Sequence, residues 1–307
     1  MQTTRLRFNP IGMLSDRLSR WPWWALVAAL LGVLFAWYIL TDQTYRGIFE
    51  RISEGILVTL RVTALAYGLA LVLGLIVALG RVSNNVVVYQ IATFYVEIIR
   101  GVPTLVLLLY IAFVIFPAAV DGLNALGTRL MAPTFAGLEH YPPVLDAQLL
   151  VQPLPPLLRN VLFDTGKALD SIELRNIENE ARVIVALTVA YSAFLAEIFR
   201  AGIESIDKGQ TEAARTLGLN FLQTMLSVIL PQALRVVLAP ATSNSLELIK
   251  TTVLASVIAL PELMKQAEQA HGSMASPTPL VMAAIIFLVM LWPLVWLAGY
   301  LERKLAQ

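Results

Sequence analysis

Charged side chains are rare inside the long apolar runs of this sequence, and those that occur there are the first candidates for chemistry. Arg61, Glu97, Glu247 and Lys250 stand in such runs, where an ionised group costs a few kcal/mol and needs a partner or a function. The densest polar set follows Pro240: Thr242, Ser243, Asn244, Ser245, Glu247 and Lys250. On a helix, spacings of four and then three residues place Ser243, Glu247 and Lys250 on one face, with Asn244 beside it. A carboxylate and an ammonium on one polar stripe can neutralise each other against a neighbouring chain, or receive the two opposite charges of a passing solute. Both readings stand. Arg61 either snorkels to the interface or contributes to the same path. Glu97 with Arg100, and Glu197 with Arg200, are three residues apart and are expected to pair within their own helices.

Other chemistries lack their residues. The chain has no cysteine, so no disulfide, thiolate metal site or cysteine nucleophile is available, and two histidines, His140 and His271, cannot by themselves build a metal cluster. Ser192 and Ser243 have no neighbouring histidine to act as base, so no catalytic set is expected. The glycine-rich run that ends in Gly-Lys-Ser/Thr and cradles phosphates is missing, since Lys167 is followed by Ala and Lys208 by Gly. Any ATP hydrolysis therefore belongs to a partner. With 22 Lys+Arg against 21 Asp+Glu there is no basic excess to hold nucleic acid.

The elements that must position these residues are membrane helices. Of 307 residues, 58% are hydrophobic and 14% charged, which excludes a soluble enzyme; an average soluble domain is about 25% charged. Crossing about 30 Å of hydrocarbon takes about 20 helical residues. Six stretches qualify, 23–40, 56–79, 96–116, 183–199, 233–252 and 280–301, and predict an all-α integral membrane protein. With a cytoplasmic N-terminus, the inner side collects Arg5, Arg7, Arg17, Arg20, Arg81, Arg200, Lys208, Arg215, Arg235, Arg303 and Lys304. The short outer loops keep only Arg46, Arg51 and Lys265, so the positive-inside rule places both termini in the cytoplasm. The long segment 117–180, proline-rich and then acidic, falls outside as either a docking surface or a loose insertion. In the second span Ala66, Ala70 and Gly74 form a stripe of small residues suited to close helix packing.

Between the fourth and fifth spans, 201–232 is too long and too patterned for a plain connector. Asp207 or Ser205 can cap a short helix whose good formers run over 210–217, and Gly218 supplies a left-handed stop. A second amphipathic helix then runs toward Pro231. Two short helices joined at a glycine form an elbow suited to a partner's groove.

This stretch resembles the cytoplasmic signature of the permease subunits of ABC importers: Glu-Ala-Ala, three residues, Gly, nine residues, Ile, any residue, Leu-Pro. Here stand Glu212, Ala213 and Ala214, then Gly218, Val228 where the family usually has Ile, and Leu230 with Pro231. The wording from Arg100 to Thr104, Tyr191 to Gly202, Pro231 to Arg235 and Leu254 to Leu263 is similar to the polar amino-acid branch. The resemblance covers the chain from Ile56 onward apart from the insert; the additional first span and the insert depart from minimal five-helix members. It implies a type I ABC importer permease-like bundle in the bacterial inner membrane, with residues 1–55 as a leader plus an additional helix. The core would span 56–301, with the insert 117–180 and the coupling loop 201–232, followed by a tail at 302–307.

The resemblance further implies three kinds of partner besides lipid. They are a second permease, either a copy or a related chain; ATPase subunits that bind ATP and Mg; and an extracytoplasmic substrate-binding protein. Glu212, Ala213, Ala214, Gly218, Leu230 and Pro231 would couple the ATPase to the membrane helices, and Ser243, Asn244, Glu247, Lys250 and Arg61 would line a path for polar amino acids. Two alternatives remain. One is an importer of another small solute, such as an organic cation, peptide or metal. The other is a free-standing carrier or channel, which leaves the patterned elbow without a purpose.

Overall fold

A computed structural model describes residues 23–131, 156–171 and 178–305, and among these the regular structure is helical. The basic leader before Trp23, the proline-rich stretch 132–155 with His140, and residues 172–177 lie outside the described residues. Ten helices follow in order: α1 Trp23–Thr41, α2 Gln43–Arg81, α3 Val86–Gly101, α4 Thr104–Met131, α5 Pro156–Asp170, α6 Asn179–Glu204, α7 Lys208–Thr216, α8 Phe221–Ile258, α9 Leu263–Met274 and α10 Thr278–Leu305.

Five of these, α2, α4, α6, α8 and α10, are long and apolar enough to cross a membrane. The expected first span is the 19-residue α1, of which Ala29–Thr41 forms a shorter apolar helix. The expected third span, 96–116, is not one helix. Pro103 has no backbone N–H and forces Val102 out of helical geometry, to φ −97° and ψ 133°, so α3 ends at Gly101 and α4 begins at Thr104. Glu97 and Arg100 consequently close α3.

Two prolines expected to end elements lie inside continuous helices. Pro117 follows a π-helical turn at Ile111–Ile115, and Pro231 follows one at Met225–Ile229. In each case the residue before the proline bonds five back, Phe116 N–H to the Ile111 carbonyl and Leu230 N–H to the Met225 carbonyl. The widened turn relieves the clash that a proline ring makes with the carbonyl four residues earlier. As a result α4 continues to Met131 and takes α5 against it, the two approaching at Gly127 and Gly166. The first part of the insert is helical, and the elbow has no second short helix ending at Pro231.

α6 is the central helix. Its apolar window is 61% buried, against 17–33% for the other four candidate spans. The small stripe of α2 packs on it: Ala66 and Ala70 are fully buried, Gly74 lies against Leu195 and Ser192, and the Thr188 hydroxyl donates to the Ala66 carbonyl at 3.4 Å. One apolar core joins α2, α4, α6 and α8 through Val62, Leu108, Leu187, Leu195 and Leu248. A second, around Ile48, Ile52, Leu263 and Met282, ties α2 to α9 and α10.

Candidate functional site

The elbow is built by its caps. The Asp207 carboxylate accepts from the Gly209 N–H at 2.7 Å and starts α7. At the other end Gly218 takes φ +81°, so that its N–H reaches the Arg215 carbonyl at 2.9 Å and the Leu219 N–H reaches the Ala214 carbonyl at 3.1 Å. Any other residue there would carry a Cβ in left-handed geometry. Asn220 and Gln223 then form a reciprocal capping box at 2.9 and 3.0 Å, which starts α8 two residues after the stop.

Ala214 is buried, and a small apolar core of Ile203, Met225, Ile229 and Ala233 joins the end of α6 to α8. Glu212, Ala213 and Gly218 face outward, as does Pro231, while Leu230 is half-buried. Leu217, which the motif leaves unspecified, is 81% exposed. Its signal in the sequence was its place just before the stop glycine.

On α8 the polar stripe forms as its spacing predicts. Ser243, Glu247 and Lys250 are exposed, and Lys250 Nζ lies 3.6 Å from Glu247 Oε2. Asn244 is half-buried, and its side-chain oxygen is buried without a hydrogen-bond partner. The Thr251 hydroxyl donates to the Glu247 carbonyl at 2.8 Å and meets the Tyr191 hydroxyl at 2.5 Å. The Tyr67 hydroxyl donates to the Ala241 carbonyl, two residues before Ser243. Arg61 is not drawn to the stripe. It forms an ion pair with Glu180 at the head of α6.

The charges around Glu197 are held differently. Glu197 receives Arg81 from the end of α2 and Arg200 from its own helix, and Arg100 of α3 stands 3.9 Å away. Arg200 also bonds Glu204, and the Arg100 guanidinium sits 5.7 Å above the Phe194 ring. The expected pairing of Glu197 with Arg200 is present, and Arg100 reaches across to α6.

Glu262 is a residue the sequence did not single out. It is fully buried just before α9, where its carboxylate accepts from the Met264 N–H at 2.9 Å and the Lys265 N–H at 2.7 Å. Burial pushes its pKa up to about 7, against the pull of those two amides. The Thr59 hydroxyl accepts from the Leu263 N–H at 3.2 Å, and Gly55 lets α2 press on this turn, since a Cβ there would stand 2.6 Å from the Leu263 nitrogen. Among the described residues no cluster of His, Asp and Glu could hold a metal ion.

Residues 70–307 match the family of binding-protein-dependent transport system inner membrane components. The probable glutamine ABC transporter permease protein GlnP of Bacillus subtilis is 42% identical over 164 residues, covering 50% of this chain and 75% of that one. The probable glutamine ABC transporter permease protein GlnM of the same organism is 31% identical over 84% of this chain and 95% of its own. A crystal structure of an amino acid ABC transporter with histidines superposes with a TM-score of 0.59 at 27% identity, covering 87% of this chain and 98% of that one.

Proposed function

The chain belongs to the family of binding-protein-dependent transport system inner membrane components, and from that premise we propose that it conducts polar amino acids inward, coupled through its elbow to a separate ATPase. It is a multi-pass inner-membrane transport subunit, not an enzyme, and its family works with ATPase partners and a substrate-binding protein.

The elbow carries the reading. Ala214 anchors it, while Glu212, Ala213 and Leu217 point outward on a short helix stopped by Gly218. A knob rigidly joined to α8 turns a push from a partner into movement of that helix, and Leu230 and Pro231 lie inside it, just after its π-helical turn. Ser243, Asn244, Glu247 and Lys250 lie further along the same helix and form the path contacts in this proposal. Arg61, already paired with Glu180, stands at the entrance rather than on the stripe.

The basic residues at the Arg81 end support a cytoplasmic face there, with both termini on the same side. A second permease, a copy or a related chain, covers the exposed polar stripe, because charge facing lipid is costly. The binding protein then docks at the opposite end, near the α4–α5 hairpin. In domain terms, 1–55 adds a leader and a helix to a permease core over 56–301, and 302–307 is a tail.

Purification from native membranes tests the coupling. Wild type is expected to bring down a P-loop ATPase identified by mass spectrometry, and the Glu212→Arg, Leu217→Asp variant to lose it at equal membrane abundance. An ATPase retained by the variant, or absent from wild type, would overturn the elbow's role.

A further inference from the structure

We infer that the cargo of this permease carries no net charge: a zwitterionic amino acid with a neutral polar side chain, received between Glu247 and Lys250. This rests on the proposed path along α8. The first ground is charge balance. Glu247 and Lys250 are 3.6 Å apart on one helix and about equally exposed, at 63% and 58% of their side chains. Arg61, the other cation in the apolar runs on this side of the fold, is neutralised by Glu180. The stripe therefore offers one negative and one positive group and no surplus of either.

Within a low-dielectric path an unbalanced charge is expensive, whereas exchanging partners between two balanced pairs is cheap. The carboxylate of an amino acid takes Lys250, its ammonium takes Glu247, and the internal pair opens as the two new ones close. No ion is left alone at any stage. A cationic side chain would bring a third charge for which this stripe holds no free carboxylate, and an anionic one would lack a free ammonium.

The surroundings of the pair supply the second ground. Towards Pro240 the polar groups are neutral: Thr242, Ser243, Asn244 and Ser245. Thr242 and Ser245 are engaged with backbone carbonyls, at 2.8 and 2.6 Å. Ser243 is exposed, and Asn244 keeps an unpartnered side-chain oxygen beneath the stripe. On the other side stand the hydroxyls of Thr251 and Tyr191. These groups hydrogen-bond amides and hydroxyls and neutralise nothing.

The experiment is uptake into proteoliposomes holding the whole transporter with its ATPase and binding protein, with radiolabelled L-glutamine, L-arginine and L-glutamate offered separately at equal concentration. Wild type is expected to accumulate glutamine and neither of the others. Glu247→Gln and Lys250→Gln are each expected to lower glutamine uptake at least about tenfold at matched protein abundance, because each leaves its partner charge unpaired. If arginine or glutamate accumulates instead and both variants lower it, the path along α8 stands and the neutral class is overturned. If neither variant alters uptake of whichever amino acid enters, the path itself is overturned, and with it this inference.

Discussion

Two groups of charge in this fold, one around Glu197 and one along α8, have the same ingredients and opposite wiring. At Glu197 three arginines from α2, α3 and α6 converge, and Arg81 keeps only 10% of its side chain exposed. Glu247, among the described residues, pairs with Lys250 on the same helix, and both side chains are more than half exposed. The first arrangement joins three helices, so its charges are committed to the fold. The second joins nothing beyond one turn of α8, so its charges are free to exchange partners. An ion pair inside a transporter is thus read by how many elements it ties together, and its separation in ångström says much less.

The largest expected effect tests that contrast directly. Glu197→Gln leaves Arg81 buried without its carboxylate, which costs about 4 kcal/mol. Glu247→Gln breaks a pair confined to one turn of α8 that ties that helix to no other element, so it costs the fold far less. Thermal unfolding in lipid nanodiscs should therefore show a much lower midpoint for the first variant and a nearly unchanged one for the second. Equal shifts would break the comparison.

Glu262 sharpens it, being a carboxyl buried with backbone amides as its partners and no cation bonded to it. Its folded pKa of about 7 lies above the ordinary value of 4.5, so between those values the folded chain holds a proton that the unfolded chain has released. Stability from this group is complete below the ordinary value, declines as pH rises through the window and is flat above it, a loss of about 3 kcal/mol. Unfolding midpoints measured at pH 5 and pH 8 should differ in wild type, and the difference should shrink in Glu262→Gln. A wild-type midpoint that rises across this window would contradict the assignment.

Much of this was legible in the sequence, and the failures share causes. The stripe on α8, the small face of α2 and the left-handed stop at Gly218 follow from helical period and residue size, which act locally. Pro117 and Pro231 misled because a π-helical turn absorbs a proline without ending the helix, and whether such a turn forms depends on the packing around it. Val102 and Pro103 divided a run that hydropathy alone joins, since hydropathy is blind to the missing N–H. Glu262 escaped because a lone carboxyl after Pro261 looks like any solvent-facing loop residue. Its burial comes from Gly55 and Thr59, some two hundred positions earlier in the chain. Arg100 stands by Glu197 instead of the expected Glu97 for the same reason, as that contact is tertiary.

The smallest expected effect concerns a position where stability and function should separate. Gly218 has φ +81° and open space around the site of a Cβ, so Gly218→Ala meets no clash and bears only the cost of left-handed backbone. That cost is about 1 kcal/mol, within a surface elbow whose opening need not unfold the bundle. The unfolding midpoint should hardly move, far less than for Glu197→Gln. Relief of the strain instead lets α7 extend past Leu217 and turns Leu217 and Glu212 away from their present directions, so ATPase co-purification and uptake should both fall. Gly218→Asn, whose side chain tolerates the left-handed region better, should retain more of both than Gly218→Ala. Ala and Asn variants that behave alike, at full coupling, would mean that the geometry of the stop is immaterial. The elbow would then owe its role to Glu212 and Leu217 alone.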